Sequence, residues 1–247
     1  MRIDTSFDFS LDNAHYWDGF WNNRNGLGVG SSDPDSSSKT LQKYHQMLWS
    51  KELPNGEHMI LECGSGPYYL TWKDFRFGSD SILVSFRYEK YRKMMEKVEK
   101  AVPDYRAFVE NYIHSFYTIG GMIIFPKHAG SINQMKGTHP QIKDRWDLTL
   151  ECIRRYYKGE NSPLYRTLLR DKEFFDLFVD FKGYVDFFFL QDCVSDDYNK
   201  VVNWLGKEWF AEEDPLPQTV EEYLKWIDVQ MEFLQKRNAR IADECSE

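Results

Sequence analysis

The sequence predicts an α+β fold, a small antiparallel sheet in the first half packed against a mainly helical second half. Three observations carry that reading. Between His58 and Phe86, short apolar or aromatic groups (Met59–Leu61, Tyr68–Trp72, Ser81–Phe86) are separated by Gly/Ser turn residues, the spacing of strands joined by tight turns. From Thr138 onward, apolar residues recur every three or four positions, the period of a helix with one buried face. Aromatic residues make up 17% of the chain, with 18 Phe, 15 Tyr and 8 Trp, enough large apolar area for a substantial core.

In chain order, Ile3, Phe7 and Phe9 suggest an extended arm, followed by a loop at about residues 14–38 rich in Gly, Asn and aromatics. The Gly26-Leu-Gly-Val-Gly30 run lacks the Lys-Ser/Thr of a phosphate loop and reads as a flexible connection. Ser38 can cap a helix whose Leu41, Tyr44, His45, Leu48 and Trp49 share a face, ended by Pro54-Asn55-Gly56. Glu89–Val102 (Tyr91, Met94, Met95 and Val98 inward) and Tyr105–His114 are two further helices. Thr118–Phe125 reads as a buried strand entered through two glycines and stopped by Pro126. The loop Ser131–Gly137 follows, then a helix opened by Thr138 and Gln141 at capping-box spacing, with Pro140 in its first turn, running to Tyr157. Ser162 caps a short helix to Leu169, and Asp171 starts one that is apolar nearly all round, broken at Gly183 before Tyr184–Leu190. Thr219 and Glu222 form a second capping box opening a helix from Val220 towards Ile241. No repeat or long linker interrupts residues 1–247, which points to one compact domain.

A net charge of −8 runs against general nucleic-acid binding, which depends on phosphate neutralisation by Lys and Arg. No apolar run is long enough for a membrane span, and MRIDTSFDFS has no signal-peptide core, so the expected setting is cytoplasmic. Four cysteines without C-x-x-C spacing read as reduced structural thiols. Zinc and nucleophile-elbow signatures are absent, no metal ligand set is evident and no motif names a cofactor.

Chemistry concentrates between Tyr117 and Tyr157. Lys127 and His128 follow the strand, where His128 is a candidate acid or base near neutral pH. Arg145 or Arg154 from the helix could form a fork for an anion, with Lys127, Asn133 or Lys136 from the loop as further ligand contacts, and His128, Arg145 and Asp144 are the candidate catalytic residues. The helix's other carboxylates, Asp147 and Glu151, form with Arg155 a ladder four residues apart, the pattern of a solvated face. Downstream, Asp180, Lys182, Asp186 and Asp192 sit among aromatics and must be paired or reach an edge; Asp186 is a further candidate ligand contact.

Four blocks carry a wider likeness: Tyr44–Gly56 (YHQMLWSKELPNG), Tyr117–Pro126 (YTIGGMIIFP), Asp144–Tyr156 (DRWDLTLECIRRY) and Phe181–Asp192 (FKGYVDFFFLQD). They resemble the signature blocks of a bacterial family of hypothetical proteins of unknown function, over nearly the whole chain, with Ala14–Ser32 as an insertion. That resemblance implies no activity and no catalytic residues. Two function classes therefore stand. One is an enzyme or ligand-binding protein for a small polar, nucleotide-like or phosphate-bearing ligand. The other is a non-catalytic interaction module (inhibitor, adaptor or defence-system component) that contacts a protein partner through Tyr16, Trp17, Phe20 and Trp21, since Trp and Tyr are common hot-spot residues.

Overall fold

A computed structural model describes residues 2–13, 16–22, 33–64, 69–83, 92–211 and 214–245. The Gly26–Gly30 connection, Tyr91 and residues 84–86 of the expected third strand lie outside them. The fold is α+β, with a four-stranded antiparallel sheet from the first half packed against a mostly helical second half.

The strands β1 (Glu62–Cys63), β2 (Tyr69–Trp72), β3 (Phe75–Ser81) and β4 (Met122–Pro126) lie in the order β1-β2-β3-β4. β2 and β3 form a hairpin closed through Lys73 and Asp74, with Trp72 opposite Phe75. The third strand thus precedes the predicted Ser81–Phe86, and Met59–Leu61 is not a strand. Alternation explains the shift. Phe75 and Phe77 stack 5.7 Å apart on one face, while Arg76 between them lies over the Tyr69 ring at 3.6 Å. β4 is buried at all five positions, as its apolar text predicts.

Among the helices, α1 (Tyr16–Asn22), α2 (Pro34–Ser37) and α3 (Lys39–Trp49) precede the sheet, and α4 (Arg92–Ala101) and α5 (Tyr105–Phe116) separate β3 from β4. The Ser38 hydroxyl accepts from the Leu41 amide at 2.9 Å, the predicted cap of α3. The second half runs through α6 (Ile132–Thr138), α7 (Trp146–Tyr157), α8 (Tyr165–Arg170), α9 (Lys172–Asp176), α10 (Phe181–Phe187) and α11 (Val220–Glu244). α11 packs against α4, α5 and the 3-10 turn Ile119–Gly121 that leads into β4. There the Asn238 side chain accepts from the Gly120 amide at 2.8 Å, and a Cβ on Gly120 would lie 2.5 Å from that oxygen, so the glycine is required by close approach. Beside it, fully buried Arg237 donates to the carbonyls of Phe188 (3.0 Å), Gly120 (2.6 Å) and Met122 (2.9 Å).

After α7, two predicted helix boundaries move. α8 starts at Tyr165 without a cap from Ser162. The single apolar helix from Asp171 is two, because Val179 takes the left-handed region (φ 67°) and Asp180 then caps α10 by accepting from the Gly183 amide at 2.7 Å. Gly183 lies inside α10, where a Cβ would meet the Phe178 carbonyl at 2.2 Å. Val179 is 62% exposed and β-branched, so nothing offsets its backbone strain, which is about 1–2 kcal/mol for a residue with a Cβ. Val179→Asn is expected to stabilise the protein by about 0.5–1 kcal/mol, read as a higher urea midpoint at unchanged slope; a lower midpoint would refute the assignment of strain.

Candidate functional site

The strand-loop-helix unit after β4 departs from its prediction, and the departure builds the site. The expected loop Ser131–Gly137 is instead the helix α6 (Ile132–Thr138), and Thr138 ends it, its hydroxyl bonding back to Gln134 O at 3.3 Å. The predicted capping box is therefore not formed. Lys143 (φ 46°) and Asp144 (φ 67°) both adopt the left-handed region, turning the chain sharply before α7 begins at Trp146. Two consecutive left-handed residues without glycine are costly, and tertiary contacts on both sides hold this corner.

On one side is Lys136. It is 3% exposed, with its ammonium 3.1 Å from Asp80 Oδ2 and in a short contact with Asp144. Burial opposes the Lys136 charge, but Asp144 and Asp80 outweigh it and hold the ammonium above its ordinary range. Asp80, on β3, is pushed up to about 6 by burial against the pull of Lys136. Asp35, on α2 packed against β3, is raised well above the carboxylate range by burial, then by Asp33 and Asp80. Asp33 in turn accepts from the Tyr117 hydroxyl at 2.9 Å. The cluster thus holds more carboxylates than cations. No group of three His, Cys, Asp or Glu among the described residues is placed to hold a metal.

On the other side is Arg145, predicted as an anion fork and found 1% exposed. Its guanidinium grips Asp147 with two bonds, Nε to Oδ1 at 3.0 Å and a short Nη2 contact to Oδ2, and donates Nη1 to Pro215 O at 2.7 Å. Asp147 also accepts from the Trp204 amide at 3.0 Å. The charge ladder of α7 is accordingly not solvated: Asp147 is 1% and Glu151 3% exposed, the latter held below its ordinary range by Arg154 and Arg155 against burial. Arg145 and Asp147 anchor both ends of the segment 204–215.

That segment walls a cleft of about 890 Å³, lined by Arg145, Leu148, Lys207, Glu208, Trp209, Phe210, Ala211, Asp214, Pro215 and Gln218. Phe210 is positioned by Gln141, which donates to its carbonyl at 2.8 Å, and by the Arg155 guanidinium 4.8 Å above its ring. Lys207 bridges Glu222 (3.1 Å) and Leu216 O (3.3 Å). Asp214 is raised by partial burial, but Lys143 at 2.8 Å and the Leu216 amide more than offset this and leave it below the ordinary range. Volume and mixed lining are those of small-molecule sites.

The remaining predicted residues do not converge on this cleft. His128 Nε2 lies 2.6 Å from Asp171 Oδ1 and Nδ1 3.2 Å from Ala129 O, so both ring nitrogens face oxygens and the pair ties the β4–α6 turn to the start of α9. Asp171, raised by burial, also accepts from the Ile132 amide at 2.8 Å. Lys127 is exposed, its stem laid against Gly78, and Asn133 is half-buried on α6. Arg154 is paired with Glu151 (2.7 Å) and Glu160 (3.4 Å). Asp186 pairs with Lys182 and accepts from the Tyr198 hydroxyl at 2.7 Å.

A buried His–Ser contact invites comparison with a nucleophile and its base. His45 Nε2 is 2.9 Å from Ser79 Oγ, but Nδ1 lies 2.9 Å from the Trp49 indole N–H, which can only donate. The His45 proton therefore sits on Nε2 and is donated to Ser79, the reverse of what activates a serine. Burial, then Arg237, pushes the imidazole down to about 3. The aromatic N-terminal residues turn inward: Tyr16 is fully buried against Tyr117 (5.5 Å), Phe20 is 8% exposed, Trp17 packs on His114 (4.8 Å) and Trp21 donates to Glu110 (3.0 Å).

Sequence reasoning missed Asp80, Asp35, Asp171 and the whole 207–218 wall. The one local signal for the wall was Trp209-Phe210 between acidic residues ahead of Pro215 and Pro217, in a stretch without helical or strand period. Neither a curated protein nor a solved structure matches the chain. A family profile matches residues 3–241, spanning the sheet, the corner and the cleft, and the chain belongs to that family, the family of unknown function DUF6994.

Proposed function

We propose that the protein binds a small molecule in the cleft between the first turn of α7 and the 207–218 segment. The carrying observation is the cleft itself, about 890 Å³ with Leu148, Trp209, Phe210 and Pro215 as apolar walls and charged or amide groups around them. The anionic, nucleotide-like ligand expected from the sequence has less support, because Arg145, Arg154 and Lys136 are each engaged by carboxylates of the protein. Its four cysteines are free thiols, which fits a reducing, cytoplasmic setting for this reading.

A thermal-shift screen of metabolites, repeated on Trp209→Ala, tests it. Trp209 is half-buried, so its truncation is expected to lower Tm by only a few degrees, while a ligand that stabilises the parent chain should lose at least about tenfold in affinity. A ligand that stabilises both chains equally would place binding elsewhere.

A further inference from the structure

We propose that the ligand of this cleft is a small organic cation, a protonated amine or guanidine on an apolar body; the assignment rests on the cleft being a binding site. Charge accounting carries it. Arg145 is neutralised by Asp147 through two bonds and faces the cleft as part of a closed pair. Lys207 is bound to Glu222 at 3.1 Å. Glu208 is exposed on the wall and in no ion pair with a described residue. Asp214 is paired with Lys143 at 2.8 Å, with side chains 46% and 22% exposed, a surface pair of the same kind as Lys207–Glu222 (31% and 40%), so a ligand ammonium can compete with the lysine for Asp214. Both lining cations thus have a carboxylate partner, and Glu208 is the lining charge left without an ion-pair partner among the described residues.

The aromatic side of the wall agrees. Ring faces attract cations through their quadrupole, and Phe210 already carries the Arg155 guanidinium 4.8 Å over its face. Trp209, whose ring lies 6.2 Å from that of Phe210, supplies a second face on the same wall. A primary amine or guanidine on a short hydrocarbon body would set its charge at Glu208 and Asp214 and its body against Leu148 and Trp209.

The test is isothermal titration of the full chain with three probes of matched shape, phenethylamine (cation), 3-phenylpropionate (anion) and 2-phenylethanol (neutral). Phenethylamine is expected to bind at least about tenfold tighter than the anion, to weaken as salt is raised from about 50 to 300 mM, and to lose about three- to tenfold in Glu208→Gln and again in Asp214→Asn. Glu208 is exposed, so Glu208→Gln is expected to fold as the parent does. Equal or tighter binding of 3-phenylpropionate, or an amine affinity unchanged in both variants, overturns the charge assignment and leaves the cleft as a ligand site. Binding of none of the three at millimolar concentration, with no Trp209-dependent hit in the metabolite screen, removes both readings.

Discussion

Asp147→Ala is expected to cost about 3–5 kcal/mol of folding stability, because it leaves the Arg145 guanidinium buried without its carboxylate. The Trp204 amide loses its acceptor in the same step. For a chain of this length the loss corresponds to a fall in Tm of about 10 °C or more, with urea unfolding giving the free energy. The double variant Arg145→Met/Asp147→Leu should recover a large part of it, since replacing both members of a buried pair by apolar groups is often close to neutral. A single-variant loss below about 1 kcal/mol would mean that the pair behaves like a solvated one. Because the pair holds Trp204 and Pro215, Asp147→Ala should also disorder the cleft wall between them, which distinguishes it from an isolated core defect.

Lys136→Met is expected to produce the second large effect, and one that depends on pH. At pH 8 the substitution strands Asp80 and Asp144 without their cation, at a cost of about 3 kcal/mol. At pH 5 Asp80 can take up a proton, and the cost should shrink to about 1 kcal/mol. The parent protein has its own slope of known sign. Folded Asp80 titrates at about 6 and an unfolded aspartate near 3.8, so between these values the native state keeps a proton that the unfolded chain has released. Stability therefore falls as pH rises through that window and stays lower above it, by an amount on the order of 3 kcal/mol. Asp35, raised in the same direction, adds to the fall. Asp80→Asn should flatten the slope; guanidine-free thermal melts at half-unit pH steps would show it, and an unchanged slope would assign the titration to Asp35 instead.

Short-range signals survived into the structure wherever the next few residues decided the outcome. Ser38 caps α3, and Thr219 accepts from the Glu222 amide at 3.1 Å while Glu222 accepts from Gln218 N at 2.8 Å, so this capping box closes one residue early. Thr138 and Gln141 have the same spacing and fail, because Lys136 and Arg145 are buried on opposite sides of the intervening corner and dictate the backbone at Lys143 and Asp144. β3 was misplaced for a related reason: Arg76 and Asp80 dilute its apolar text, and only the neighbouring strands and Lys136 give those polar residues partners. His128, the candidate acid or base, and Arg145, the candidate anion fork, find partners in Asp171 and Pro215, which lie 43 and 70 residues away. No local pattern encodes such pairings, and the cleft, made from α7 and a segment some 60 residues later, belongs to the same class of information.

Arg237 bears on the order in which the molecule can be made. Its guanidinium, pulled down to about 10 by burial yet still charged at neutral pH, is met by three carbonyls and by no carboxylate among the described residues. Two of those carbonyls, Gly120 and Met122, precede it by 117 and 115 residues. During synthesis, the entrance to β4 is therefore on the nascent chain long before the side chain that satisfies it. Until α11 arrives, the Gly120 and Met122 carbonyls must stay hydrated, and a buried β4 is premature. Closure of the sheet half is thus a late, long-range event. It carries the loop-closure cost that slows folding, and it exposes the apolar β4 to chaperones and proteases for nearly the whole second half of translation.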